Sequence, residues 1–220
     1  MLTKFQNRSE AGRILAERLT TYAGRSDVLV LALPRGGVPV AFEIAQALAA
    51  PLDVFIVRKL GVPGHEELAM GALAEGEELV LNDDVVVALD LPSHVIHAAA
   101  VRERRELQRR ERAYRGDRPV PRIRDRVVIL VDDGIATGAT MRAAIESIQR
   151  QEPARLIVAV PTASPRTADE FHSLVDEFIC EITPEPFYAV GVWYEDFSQT
   201  TDEVVRDLLD RAAIETRAAS

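Results

Sequence analysis

Short apolar runs alternate along this chain with longer segments in which apolar residues recur at helical spacing. The runs 27–33 (DVLVLAL) and 127–131 (VVILV) are apolar almost throughout rather than at every second position. Strands of this kind are typical of a parallel sheet covered on both faces, because neither face meets water. This criterion predicts strands, or in the last case a strand-like run, at 27–33, 52–57, 127–131, 155–161, 176–181 and 188–194.

Segments with helical spacing separate most of these strands. The spacing and the capping residues predict helices at 9–22 (capped by Ser9), 38–48, 93–116, 138–150, 165–174 and 201–213. A strand, a turn, a helix and a second strand in succession form a βαβ unit, whose two strands lie parallel in one sheet. We therefore expect an α/β fold, a mostly parallel twisted sheet with helices on both faces.

One stretch departs from this alternation. Residues 58 to about 92 carry several glycines and a proline, which predict a mobile loop followed by a small hairpin around Glu75–Glu78. The side chains of His65, Glu66 and Glu67 in this loop are interpreted as surface residues rather than as contacts of a lid. The chain therefore has an irregular region between its second and third predicted strands.

A single domain over 1–220 is expected, with a helical and hairpin hood inserted at 82–125. Residues 102–126 hold eleven arginines and five acidic residues, although the whole chain has a net charge of −9. The favoured interpretation is a solvated helix with i,i+4 pairs such as Glu106–Arg110. Contact with a phosphorylated substrate, an RNA backbone or an acidic partner stays open, and the overall acidity argues against nucleic acid.

Two acids, Asp132 and Asp133, directly follow the predicted strand at 127–131. Ligands of open parallel sheets bind at the carboxyl ends of strands, so these carboxylates are expected in a binding site. The small residues that follow, GIATGAT (134–140), let several backbone N–H groups converge where the next helix begins, and such a loop can hold a phosphate. The acids can accept hydrogen bonds from vicinal hydroxyls, as in a ribose 5-phosphate. This is not a Walker loop, because the lysine of that motif is missing.

Composition narrows the class of protein. Apolar residues make up 47% of the chain and charged residues 28%, as in ordinary globular proteins. No apolar run reaches the roughly 18 residues of a membrane span, and the amino terminus lacks a secretory signal pattern. A single cysteine, Cys180, excludes an internal disulfide, and with only four histidines a zinc site is not expected. We expect a cytoplasmic protein without membrane contact, with Cys180 buried in its strand.

The segment VILVDDGIATGAT (128–140) resembles the signature of type I phosphoribosyltransferases in its apolar run, its acid pair and its Thr-Gly-x-Thr. The resemblance implies the fold of that family. It also implies an enzyme that uses Mg²⁺ and 5-phosphoribosyl 1-pyrophosphate (PRPP) to ribosylate a nucleobase or similar nitrogen acceptor, with release of pyrophosphate. Asp132 and Asp133 would hold the ribose hydroxyls and, through water, the metal. The 5-phosphate would be held by Gly134, Ala136, Thr137, Gly138, Ala139 and Thr140.

The resemblance extends to three other segments. Arg35, Gly36 and Gly37 resemble the pyrophosphate loop of the family, although taken alone they predict only a tight turn. Arg58 and Lys59 stand where several members place a basic residue on pyrophosphate beneath a closing lid. The segment 188–203 resembles the base-binding segment, which implies that three aromatic residues stack on the base or else cover the sheet edge: Trp193, Tyr194 and Phe197.

Two departures from the family pattern leave the acceptor open. Ala136 stands where hypoxanthine–guanine members carry an acid, and no lysine follows Lys59, so Arg166 is the candidate replacement. A 6-oxopurine enzyme is therefore disfavoured and the general base is unassigned. The rival hypothesis is a non-catalytic regulatory protein that senses PRPP and whose arginine-rich helix binds RNA, DNA or a protein. Family members are often dimers, so a homodimer is expected by resemblance alone.

Overall fold

The computed structural model describes residues 4–75, 78–116 and 118–219, except for the side chains of residues 66, 67, 78 and 216–219. The interpretation of Glu66 and Glu67 as surface side chains, and the turn of the predicted hairpin at 76–77, therefore lie outside the described residues. Among the helices within these ranges, none is both long enough and apolar enough to cross a membrane.

The main sheet consists of five parallel strands: β1 Val28–Ala32, β2 Leu52–Val54, β6 Val127–Val131, β7 Arg155–Thr162 and β8 Glu177–Ile182. Their order is β2–β1–β6–β7–β8. β1 and β6 are therefore neighbours inside the sheet, with β2 at one edge and β8 at the other. Every residue of β1 and of β6 is buried. This confirms the prediction of a parallel sheet whose strands are apolar on both faces.

The helices are α1 Arg8–Arg18, α2 Gly37–Leu48, α3 Asp83–Ala88, α4 Ser93–Arg115, α5 Ala139–Arg150, α6 Pro165–His172 and α7 Asp202–Ala219. Alternate residues of β1 point to opposite faces, each with its own apolar cluster. Val30 belongs to a cluster that contains residues of α1, α2 and α7. Leu31 belongs to a cluster that contains residues of α5 and α6. Helices on both faces of the sheet are thus confirmed.

The region predicted as a mobile loop is instead a small antiparallel sheet of three strands: β3 Val57–Val62, β4 His65–Ala74 and β5 Glu78–Leu81. The predicted strand 52–57 is therefore split between two sheets. The glycines misled the prediction, because Gly71 is a strand residue: a Cβ there would lie 2.5 Å from the carbonyl oxygen of Val80. The small sheet packs on α4 through an apolar cluster that includes Leu60, Met70 and Ile96.

Two further predictions of secondary structure were wrong in detail. The strand-like run 188–194 contains a 3₁₀ turn at Val190–Trp193 instead of a strand, and its strand-type pairing is an isolated bridge between Phe5 and Tyr194. The first helix ends at Arg18, a 3₁₀ turn follows, and the side chain of Asn7 rather than Ser9 accepts the capping hydrogen bond. Neither change affects the main sheet.

A buried ionic cluster joins the end of α4 to the main sheet. The guanidinium of Arg115, only 3% exposed, lies 3.1 Å from the Asp53 carboxylate of β2 and contacts the carboxyl of Glu75. Its Nη2 also donates to the carbonyl oxygen of Val54 at 3.1 Å. These contacts of Arg115 attach the end of α4 to β2, the edge strand of the main sheet.

Glu75 in this cluster makes the stability of the fold depend on pH. Burial raises the pKa of its carboxyl to about 7, although the neighbouring Arg115 acts to lower it. A glutamate in an unfolded chain titrates near pH ~4.3. Between these two values the unfolded chain has released a proton that the folded chain retains, so the free energy of unfolding falls as pH rises through this window.

We expect Glu75→Gln to abolish the decrease in the free energy of unfolding between these two pH values. Denaturant unfolding from about pH 5 to about pH 8 should show wild type losing on the order of 1–3 kcal/mol more than the variant. Glu152→Gln is a matched control, because the side chain of Glu152 is 65% exposed and its ion pair with Arg124 is on the surface. Parallel pH profiles for wild type and Glu75→Gln would contradict the prediction.

Candidate active site

The acids at the end of β6 line two different cavities. Asp132 lines a cavity of about 180 Å³ together with residues 134–141 and Val190. Asp133 lines a second cavity, of about 370 Å³, together with Arg8, Arg35, Gly36, Phe197, Gln199 and Thr200. We call these the loop cavity and the arginine cavity. The end of β6 thus supplies one carboxylate to each.

The two carboxyl groups sit in an environment that disfavours their charge. Burial raises the pKa of Asp132 well above its usual value, and the neighbouring Asp133 raises it further. The pKa of Asp133 is also raised by burial, while Arg8 acts to lower it. Oδ1 of Asp132 accepts a hydrogen bond from the backbone N–H of Asp133 at 2.9 Å. A ligand that donates hydrogen bonds to these oxygens would relieve the cost of burying them.

Arg8 is a site residue that the sequence did not reveal. Its Nε and Nη2 each lie 2.8 Å from Oδ2 of Asp133. Its Nη1 donates to the carbonyl oxygen of Ser198 at 2.8 Å, and its guanidinium carbon lies 3.9 Å from the centre of the Phe197 ring. Arg8 opens α1, far along the chain from Asp133, and no local motif marks it.

The loop 134–140 has the form that a phosphate-binding loop needs. Gly138 caps α5 with φ +76°, and a Cβ there would lie 2.7 Å from the Phe171 ring. Side chains hold the loop from behind: Thr167 donates to the carbonyl oxygen of Ala136, and Arg142 to that of Thr137. Within the described part of the chain, no hydrogen bond is donated by the backbone N–H groups of Ala136, Thr137, Gly138, Ala139 and Thr140.

Those N–H groups at the start of a helix are an anion-binding arrangement, because they carry partial positive charge and lack intrahelical partners. Thr137 and Thr140 are exposed beside them and can add hydroxyl donors. The structure therefore brings together the predicted phosphate residues and Asp132 in the loop cavity. Gly134 permits the close packing, since a Cβ there would lie 2.6 Å from the side chain of Val190.

The turn at Arg35–Gly37 packs against the acid pair. A Cβ at Gly36 would overlap Oδ2 of Asp133, and one at Gly37 would lie 2.7 Å from the carbonyl oxygen of Val131. Glycine is therefore needed at both positions for the ends of β1 and β6 to approach. The peptide bond between Pro34 and Arg35 is cis. The tight turn predicted from sequence thus lies beside the acids, and it brings Arg35 to the arginine cavity.

Arg58 and Lys59, neighbours on β3, have different surroundings. The Arg58 guanidinium bonds Oε2 of Glu103 on α4 at 2.7 Å and 3.0 Å, so its predicted place in the substrate site is not supported. Lys59 lines a third cavity, of about 490 Å³, to which Ala139 and Thr140 of the phosphate loop also contribute. Only Lys59 of this pair is therefore brought towards the loop.

The sequence of the chain matches a family of known proteins. A family model described as a phosphoribosyl transferase domain matches residues 2–192. The chain belongs to this family. Two Mycobacterium tuberculosis proteins, provisionally named phosphoribosyl transferases, are 46% identical to it over 208 residues. The match covers 94% of this chain and 47% of theirs, so the chain spans about half the length of the curated relatives it matches.

A solved structure supports the assignment of the fold. The crystal structure of TT1426 from Thermus thermophilus is 42% identical in sequence and superposes with a TM-score of 0.84. It covers 94% of this chain, and this chain covers 98% of it. The resemblance to phosphoribosyltransferases noted from the signature segment is thus confirmed for both family and fold.

The aromatic residues expected to stack on a base have different surroundings in this phosphoribosyl transferase domain. Tyr194 is 3% exposed, packs against Phe5, and donates through its hydroxyl to the carbonyl oxygen of Asp133 at 2.6 Å. Its burial beside Ile182 of β8 fits the alternative that the ring covers the edge of the sheet. Phe197 is 38% exposed and lies under Arg8. Trp193 is partly buried, and its Nε1 has no hydrogen-bond partner among the described residues.

Tyr194→Phe tests the structural role of this hydroxyl. Removing it leaves the buried carbonyl of Asp133 without its donor, so we expect the free energy of unfolding to fall by about 0.5–1.5 kcal/mol. Tyr188→Phe is the matched control, because Tyr188 is 79% exposed. Urea unfolding measures both, and equal stabilities for the two variants would contradict the assignment.

The remaining chemistry-bearing residues do not converge. Within the described ranges, no group of three or more His, Cys, Asp or Glu side chains is placed to hold a metal ion. Cys180 lies in β8 and is partly buried, and burial raises the pKa of its thiol to about 12. Its place in a strand agrees with the prediction, although the residue is partly rather than fully buried, and a thiol with a raised pKa is unreactive.

Proposed function

We propose that this chain transfers the phosphoribosyl group of PRPP to a nitrogen acceptor and releases pyrophosphate. The observation that carries the proposal is the loop cavity. There, backbone N–H groups at the start of α5 that donate no hydrogen bond among the described residues lie next to the carboxyl of Asp132. A phosphate and a hydroxyl-bearing ring, joined as in ribose 5-phosphate, match these two sets of groups. Family membership supports the same reaction class.

In the proposed reaction a bond forms between the acceptor nitrogen and C1 of the ribose, while the bond from C1 to the pyrophosphate oxygen breaks. Pyrophosphate leaves with the electron pair, and the acceptor nitrogen releases its proton to solvent as it bonds to C1. Asp132 and Asp133 would fix the ribose so that the acceptor attacks in line. Arg35 and the backbone N–H of Gly36 would stabilise the charge that develops on the leaving group. The N–H of Gly37 already donates to the carbonyl oxygen of Leu33 at 3.1 Å, and Lys59 lines the third cavity rather than the arginine cavity.

The donor set at the acids fits Mg²⁺. Carboxylate oxygens are the ligands this ion prefers, and it keeps much of its water, so two acids suffice without a cage of protein ligands. Asp132 and Asp133 would hold it through water. When bound, the ion supplies positive charge to the oxygens of PRPP.

The small sheet is proposed as the cover of this site. It carries Lys59 and forms one wall of the third cavity, whose other wall is the start of α5. A cover that excludes water would protect the electron-poor C1 centre from hydrolysis. The chain is proposed to be a single domain, with the inserted hood at 82–125 containing α3 and α4 and lying next to the small sheet in sequence.

The test is pyrophosphate release from PRPP with Mg²⁺, measured against a panel of single nucleobases, with calorimetric binding of PRPP in parallel. Release with one base would identify the acceptor. Absence of PRPP binding by folded protein would overturn the proposal. Binding without release across the panel would favour the second candidate function.

That second candidate is a regulatory protein that senses PRPP without catalysis. It is favoured by a stripe of exposed arginines on α4, at Arg102, Arg105, Arg109 and Arg112. Among the described residues, Arg105 and Arg112 make no ion pair. Salt-dependent retention of the protein on RNA that is lost in Arg105→Gln/Arg112→Gln would support this candidate, and absence of retention at low salt would exclude RNA as its partner.

A further inference from the structure

We propose that Arg8 is a second pyrophosphate-binding guanidinium, acting with Arg35 in the arginine cavity. The inference rests on the proposed function, because it divides PRPP between the two cavities that meet at the acid pair. No motif of the sequence marks Arg8, and its position is set only by the fold.

The residues that line the arginine cavity include two arginines and one aspartate. Arg8 and Arg35 both line it, and the one carboxylate among its lining residues is Asp133. Asp202 lies outside the lining, 3.7 Å from the Arg35 guanidinium, in a pair that is about one-third exposed on both sides. Solvent weakens that pair, so the cavity keeps positive charge available for an anion.

The Arg8 side chain is held in place before any ligand arrives. Its side chain is 11% exposed, and it is fixed by Asp133, by the Ser198 carbonyl and by the Phe197 ring. A guanidinium has five N–H donors, and these contacts use three of them. Two donors are thus unused among the described contacts. A preorganised arginine loses little freedom when it binds, and its fork suits phosphate oxygens.

The location favours pyrophosphate over the other parts of PRPP. The 5-phosphate is matched by the N–H groups of the loop cavity, on the Asp132 side. The arginine cavity lies on the Asp133 side and includes Gly36 of the turn that resembles the pyrophosphate loop. A ribose held between the acids would therefore direct its 5-phosphate into one cavity and its pyrophosphate into the other. A neutral base would leave the two guanidiniums without an anion.

The experiment compares inorganic pyrophosphate with ribose 5-phosphate as separate probes, each titrated calorimetrically with Mg²⁺ into wild type, Arg8→Gln and Arg8→Lys. We expect Arg8→Gln to weaken pyrophosphate binding by roughly tenfold or more, and Arg8→Lys to recover part of it, while ribose 5-phosphate changes less than about threefold. Arg25→Gln is the matched control, since Arg25 forms an exposed ion pair with Asp27 at the opposite end of β1. Thermal melts confirm that each variant is folded.

The two probes distinguish direct binding of pyrophosphate by Arg8 from an indirect role in which Arg8 only positions Asp133. Unchanged pyrophosphate affinity in Arg8→Gln would overturn the inference. Equal weakening of both probes would also overturn it, because Arg8 would then act only by holding Asp133 for the ribose. Wild type that binds neither probe nor PRPP would instead overturn the proposed function itself, so the two failures are distinguishable.

Discussion

Replacing Asp132 and Asp133 together by asparagine is expected to abolish phosphoribosyl transfer without unfolding the protein. The carboxylates would accept hydrogen bonds from the ribose hydroxyls, and each such charge-assisted bond is about twice as strong as a neutral one. Loss of both should lower PRPP affinity, and any measurable pyrophosphate release, by at least roughly a hundredfold. Asparagine keeps the shape of the side chain, so the end of β6 should stay in place.

The stability of the double variant is part of the prediction. Burial raises the pKa of both acids, so ionising them costs folding free energy at neutral pH. Asparagine removes that cost, while the ion pair between Arg8 and Asp133 is lost. We therefore expect a melting temperature close to that of wild type at neutral pH. PRPP binding by calorimetry and thermal unfolding are the two measurements.

Asp27→Asn is the matched control, because Asp27 forms an exposed ion pair at the amino-terminal edge of the same sheet. It should leave PRPP affinity unchanged. Retained PRPP binding in the double variant would contradict the assignment of the acids. A loss of binding accompanied by unfolding would show instead that the acids are needed for the fold.

Arg115→Ala is expected to cause the largest loss of stability of any single change discussed. Removing the guanidinium leaves Asp53 and Glu75 in the interior without their cation, and breaking a buried pair in this way costs about 3–5 kcal/mol. Denaturant unfolding should show a drop of this size. The carboxyl end of α4 should become accessible to proteases, because its contact with β2 is lost.

Two controls test whether the stability loss of Arg115→Ala comes from unpaired buried charge or from lost packing. Arg109→Gln breaks an exposed ion pair with Glu106 on the same helix and should change stability by less than about 0.5 kcal/mol. The triple replacement Arg115→Met/Asp53→Val/Glu75→Leu removes the charges together and should restore most of the loss. A stable Arg115→Ala variant would show that the cluster is solvated rather than buried.

Much of the fold could be predicted because its strands are apolar on both faces. Val30 and Leu31 are neighbours that belong to different apolar clusters, so the run has no alternation. Together with the succession of strands and helices, such runs indicate a parallel sheet covered on both faces. The placement of the acid pair and of the small loop at the end of β6 was also predictable. Their arrangement depends on consecutive residues at the junction of one strand and one helix, and that information is local.

The parts that were missed depend on contacts between distant segments. Arg8 reaches Asp133 from the other end of the chain, and Tyr194 is buried because Phe5 packs on it. Of the small sheet, the antiparallel pairing of β4 with β5 agrees with the predicted hairpin, whereas β3 and most of β4 were taken for a loop. The prediction failed there because Gly71, a residue that usually marks a loop, is required by the close approach of β5. Neighbouring residues in sequence carry no information about such partners.

The ionic cluster at Arg115 has a consequence for protein engineering. The chain leaves the main sheet after β2 and is tied back by Arg115 to Asp53 of the same strand, while the backbone N–H of Glu75 donates to Ile56. The excursion is therefore anchored at this edge, and it also completes the main core, because Leu73, Leu107 and Tyr114 belong to the apolar cluster that contains Val30. A shortened chain that joins 56 directly to 118 should therefore lose stability in the main sheet. Redesign of the domain has to keep these core positions and change only the exposed residues of the excursion.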